Sequence, residues 1–74
     1  MIYKFKASVN HAVKGAALAG DAEFVNYLID RGASLNIAVE YIAFRGDKLF
    51  TYDLLQRGAN PYYAELHIMV MKLF

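Results

Sequence analysis

Apolar and polar positions along this chain follow one pattern twice. Val13, Ala16 and Ala17 stand at helical spacing after Asn10, and Val39, Ile42 and Ala43 repeat that spacing after Asn36. Each run predicts a short helix of about two turns with one buried stripe, and Asn10 and Asn36 are the expected N-caps, because an asparagine oxygen accepts an otherwise unpaired amide of the first turn. A second stripe follows each run: Phe24, Val25, Leu28 and Ile29, answered by Phe50, Leu54 and Leu55. Its i, i+1, i+4, i+5 spacing belongs to a helix with one buried face. Gly20-Asp21 and Gly46-Asp47 separate the two stripes. Glycine permits a left-handed stop there, and aspartate caps the next helix at its positive end. Arg31-Gly32 and Arg57-Gly58 then close the second helix, with a cation at its negative end and glycine just beyond.

The recurrence is a repeat in the strict sense. Residues 8–33 align with residues 34–59 at a period of 26, with twelve identities. The paired residues are Ser8, Asn10, Ala12, Val13, Ala17, Gly20, Asp21, Phe24, Leu28, Arg31, Gly32 and Ala33 with Ser34, Asn36, Ala38, Val39, Ala43, Gly46, Asp47, Phe50, Leu54, Arg57, Gly58 and Ala59. A fixed period of roughly 20 to 50 residues predicts a solenoid, in which each unit buries its apolar face against its neighbours. The expected fold is therefore all-α, a single domain over residues 1–74 built of helix-turn-helix units 8–33 and 34–59 and a partial unit 60–74. Ala12, Ala16, Ala17, Ala38 and Ala43 should let the helices approach closely, with the larger residues filling the space between.

The third unit starts at Asn60-Pro61 and is expected to supply one helix, from about Ala64 to Phe74. Leu66, Ile68, Val70 and Leu73 make that helix apolar nearly all round, whereas a capping repeat carries a polar outer face. Another chain, a second copy of this one included, or a further part of the same protein is expected to cover it.

Composition points the same way. Hydrophobic residues make up 58% of the 74, above the ~45–50% of ordinary soluble domains, and a chain this short buries only roughly 60% of its unfolded surface. The apolar excess therefore calls for a second surface. A net charge of +1 with interspersed signs gives no nucleic-acid or anionic-membrane footprint. Lys14, Asp21, Asp30, Glu40, Asp47 and Glu65 interrupt every apolar run short of a membrane span, and residues 1–6 are too short and too interrupted for a secretory signal. The absence of cysteine removes disulfides and thiolate metal sites.

The spaced residues Ala17, Gly20-Asp21, Leu28-Ile29 and Gly32-Ala33, matched by Ala43, Gly46-Asp47, Leu54-Leu55 and Gly58-Ala59-Asn60-Pro61, resemble the ankyrin repeat. The Arg-Gly-Ala turns followed by Ser-Leu-Asn or Asn-Pro-Tyr look like that family's Gly-Ala-Asp-Val-Asn turn. An ordinary ankyrin unit has 33 residues and opens its first helix on Thr-Pro-Leu-His; here those positions read His11-Ala12-Val13-Lys14, Ile37-Ala38-Val39-Glu40 and Tyr63-Ala64-Glu65-Leu66. The seven missing residues are those of the β-hairpin finger. The chain thus resembles the shortened arrays of amoebal, viral and intracellular-bacterial proteins, secreted effectors among them. The resemblance implies protein binding as a scaffold or adaptor, without catalysis or cofactor, through the inner helices, and a cytoplasmic location, that of a host cell for an effector.

Binding residues are expected where the units disagree: Lys14, Glu40, Tyr41, Arg45, Lys48, Tyr52, Tyr62 and Tyr63. Aromatics and arginine are enriched in interface hot spots, although a half-buried tyrosine with a wet hydroxyl is also ordinary. Asn60-Pro61-Tyr62-Tyr63 fits the Asn-Pro-x-Tyr pattern gripped by phosphotyrosine-binding-type domains, but the same residues suit a turn between units, and the turn is the preferred reading. His11 and His67 lack the companions a zinc site needs. Asp21 and Asp47, one period apart, read as equivalent caps rather than as an acid and a base, and neither an activated nucleophile nor a phosphate loop is present.

Overall fold

A computed structural model describes the backbone of residues 2–72 and the side chains of residues 8–66. Five helices and no strand occur among the described residues: α1 Ile2–Ala19, α2 Ala22–Asp30, α3 Leu35–Arg45, α4 Lys48–Gln56 and α5 Pro61–Lys72. The all-α expectation holds. No helix among the described residues is long and apolar enough to cross a membrane.

Connections are as short as a helical chain allows, and the glycines are the reason. Gly20, Gly32, Gly46 and Gly58 all lie at positive φ. At the first turn the amide of Gly20 donates to the Ala17 carbonyl at 3.1 Å and that of Asp21 to Ala16 at 3.0 Å. This doubled closure satisfies carbonyls that the helix end would leave unpaired. The same pair of bonds recurs as Gly32 to Ile29 and Ala33 to Leu28, as Gly46 to Ala43 and Asp47 to Ile42, and as Gly58 to Leu55 and Ala59 to Leu54. Asp21 also accepts from the Phe24 amide, and Asp47 from that of Phe50, each at 3.1 Å. Each aspartate closes one helix with its backbone and opens the next with its side chain, so two helices need only two residues between them.

Helix α1 packs against α2 and α3, and α3 packs in turn against α4 and α5. The core runs along this arrangement. Val13, Ala17, Val25, Ala38, Val39, Ile42 and Leu54 are wholly buried, and Val9, Ala16, Leu28, Ala33 and Ala59 nearly so. Ala17 and Ala38 sit at full burial between larger neighbours, as close helix approach requires. Within the outer stripes Val25, Leu28 and Leu54 face the core as expected. Phe24 does not: it is 44% exposed and stacks on Tyr27, with ring centroids 6.1 Å apart.

Three expectations need correction. Asn10 lies inside α1, which begins at Ile2 rather than after Asn10, because no glycine or proline interrupts residues 2–14. Asn36 lies inside α3, whose N-cap is Ser34: its hydroxyl accepts from the Ile37 amide at 3.3 Å. The equivalent Ser8 falls within α1, so the upstream Arg-Gly-Ala turn, not the serine, decides where a helix begins. Finally α5 starts at Pro61 instead of about Ala64. Proline suits the first helical position, where its missing N–H would be unpaired in any case.

Candidate functional site

Asn10 and Asn36 tie the units together. The side-chain oxygen of Asn10 accepts from the Ser34 amide at 2.9 Å, and that of Asn36 accepts from the Asn60 amide at 2.8 Å. In a capping box a glutamate within the same helix takes this N-cap amide. Here the acceptor comes from the helix of the preceding unit, so the start of one helix is fixed by the middle of another. The third copy of the position is Tyr62, and the asparagine series stops there.

Two arginines add further links. Arg45 donates to the Leu18 carbonyl at 2.8 Å, placing its cation at the negative end of α1. A Cβ on Gly20 would lie 2.6 Å from that guanidinium, so any other residue there meets the strain of positive φ and displaces the Arg45 side chain. Arg57 donates to the Asn26 oxygen at 2.6 Å and lies 3.4 Å from Asp53, joining the end of α4 to α2. Arg45 therefore has a structural partner, and the sequence pattern that selected it as a binding residue reported only that its counterpart is Ala19.

The other candidate residues fall into two groups. Lys14 of α1 lies with its ammonium 5.2 Å from the centre of the Tyr41 ring on α3, within the range of a cation–π contact. With Asn10, His11, Ile37 and Glu40 they line a shallow groove of about 320 Å³ between α1 and α3. Lys48 and Tyr52 line a second groove of about 400 Å³, bounded by Thr51 and Leu55 on α4, by Ala43 and Gly46 at the end of α3, and by Ala64 and Glu65 on α5. Tyr62 and Tyr63 meet edge to face, with ring centroids 5.4 Å apart, at the start of α5.

The four tyrosines divide by burial. Tyr41 and Tyr63 pack against the core, whereas Tyr52 is 63% and Tyr62 is 55% exposed. Leu49, at 87%, is more exposed than either and escaped notice because an outward position on α4 has no sequence signature beyond its mismatch with Glu23. Around Pro61 the backbone is helical: Asn60 accepts from the Tyr62 amide through its side chain and from the Tyr63 amide through its carbonyl, at 3.0 and 3.1 Å. That is helix-start geometry, not the extended segment an Asn-Pro-x-Tyr ligand presents. Of the residues expected to pair copies of the chain, Leu66 is half-buried, and the side chains of Ile68, Val70 and Leu73 lie outside the described residues, as does that of His67.

Comparison of the chain with protein-family models, with curated proteins and with solved structures gives no match.

Proposed function

We propose that this chain is a protein-binding module, a short solenoid of ankyrin-like helix-turn-helix units without the hairpin finger, acting as a scaffold or adaptor. The observation that carries this reading is how the repeat divides its residues. Most positions shared by the two units close turns, cap helices, link units or fill the core, as Gly20/Gly46, Asp21/Asp47, Asn10/Asn36 and Val13/Val39 do. Of the positions where the units differ, Lys14, Glu40 and Tyr41 stand together in the groove between α1 and α3, and Lys48 and Tyr52 line the one between α4 and α5. A helical stack of this kind presents a shallow surface, suited to another macromolecule rather than to an enclosed small substrate.

An affinity pull-down with mass spectrometry, wild type against a Lys14→Glu/Tyr41→Ala double variant of matched helicity, tests it. Loss of a saturable, stoichiometric partner in the variant supports the groove as the binding surface. Retention of the same partners at the same affinity would remove it.

A further inference from the structure

We infer that the outer face of α4 is a self-complementary surface on which a second copy of this chain packs, helix against helix, about a two-fold axis. This surface is distinct from the α1–α3 groove, and the inference stands independently of the reading given to that groove. Leu49 and Tyr52 are the two most exposed large apolar side chains among the described residues, and they lie one turn apart on α4. Lys48 and Asp53 flank them and are exposed as well. One period earlier the same places hold Ala22, Glu23, Asn26 and Tyr27, so the apolar pair with its two opposite charges belongs to α4 alone. In that first unit, which has a following unit beside it, Ala22, Glu23 and Tyr27 remain exposed and Asn26 is half-buried. A stacked neighbour therefore does not cover this face.

The four positions are related by symmetry. At about 100° per residue, Leu49 and Tyr52 lie roughly 30° to either side of one line along α4, with Lys48 about 70° to one side and Asp53 about 70° to the other. Both pairs share a midpoint between Phe50 and Thr51. A two-fold axis through that midpoint, perpendicular to the helix, sets Leu49 opposite the partner's Tyr52 and Lys48 opposite the partner's Asp53, and each contact occurs twice. Apolar side chains then meet at the centre, and each cation meets a carboxylate at the rim. Lys48 makes no ion pair among the described residues, and Asp53 meets Arg57 through Oδ2, which leaves Oδ1 for a second cation. Another occupant would have to reproduce this spacing, which the chain already carries. One short helix face buries far less than the ~1,200 Å² of a stable complex, so the dimer is weak and reversible, populated at about 0.1–1 mM.

Sedimentation equilibrium and nitrogen-15 amide shifts, followed from about 0.05 to 1 mM, test the pairing. Wild type is expected to self-associate with shifts at Lys48, Leu49, Tyr52 and Asp53. Leu49→Glu, which installs the residue type of Glu23, should weaken association about tenfold. Charge reversal reads the register. Lys48→Glu alone and Asp53→Lys alone make both rim pairs like-charged and should each weaken association about tenfold, whereas a 1:1 mixture of the two restores opposite charges and should return to within about twofold of wild type. Lys14→Glu and Asp30→Lys carry the same net charges on other faces and should associate equally well alone and mixed. A mixture of the α4 variants that regains nothing, or a control pair that prefers its mixture as strongly, overturns the inference. So does a chain that stays monomeric throughout, or association with shifts confined to α5. A monomeric chain that loses a stoichiometric pull-down partner on Leu49→Glu makes the occupant another protein and also overturns it.

Discussion

Replacing Asn10 with alanine isolates the link between units. The substitution removes the acceptor 2.9 Å from the Ser34 amide, which is partly buried, so water replaces it only in part. Leaving such a donor short of a partner costs about 1–2 kcal/mol. Asn10 lies within α1, where alanine is the better helix former by about 0.6 kcal/mol. The net loss is therefore about 0.5–1.5 kcal/mol, or roughly 2–12 °C in midpoint for a domain of this size. The equivalent Asn36→Ala uncovers the exposed Asn60 amide, which water serves well, and the loss there should nearly cancel the gain in propensity. Thermal and urea melts give the order of the two variants. Amide hydrogen exchange gives the site: protection of Ser34 should fall in Asn10→Ala and that of Asn60 in Asn36→Ala. Asn10→Ala melting at or above wild type, with Ser34 exchange unchanged, would refute the reasoning.

Gly20→Ala and Gly46→Ala share a positive φ, but only the first puts a Cβ against Arg45, so both lose about 1–2 kcal/mol to strain and Gly20→Ala loses more. A double-mutant cycle should show that excess vanish in an Arg45→Ala background; an unchanged excess places its cause elsewhere. Ala17→Leu forces extra volume into a fully buried contact and should cost about 1–3 kcal/mol, read as a lower melting midpoint. Leu54→Ala empties the one wholly buried position of α4 and should cost about 2–5 kcal/mol, measured by urea unfolding. Asp21→Ala and Asp47→Ala each remove a helix N-cap at about 1 kcal/mol, seen as faster exchange at the Phe24 or Phe50 amide.

The legible parts of the fold were those that act over a few residues. Gly20-Asp21, Arg31-Gly32, Gly46-Asp47 and Arg57-Gly58 state their turns in the sequence, because positive φ and side-chain caps are governed by sterics and hydrogen bonds within one helical turn. The buried stripes followed from spacing for the same reason, apart from Phe24, whose ring left the core face for Tyr27. Asn10 and Asn36 misled because an asparagine before an apolar stripe suits a cap, while its actual partner lies 24 residues later. Nothing local distinguishes the two uses. Arg45 stands out in the repeat only as unlike Ala19, and its partner, the Leu18 carbonyl, is 27 residues away.

The sequence by itself determined the period, the helix boundaries set by glycine and aspartate, and the small and large residues available to the core. Tertiary structure decided which polar side chains serve as links between units, since that requires helices from different units to lie side by side. It also decided burial: Ala17, Val25 and Ala38 are wholly buried, while Ala43, Thr51 and Ala64, one period later, are half-buried, because burial depends on what packs against a residue and not on its place in the period.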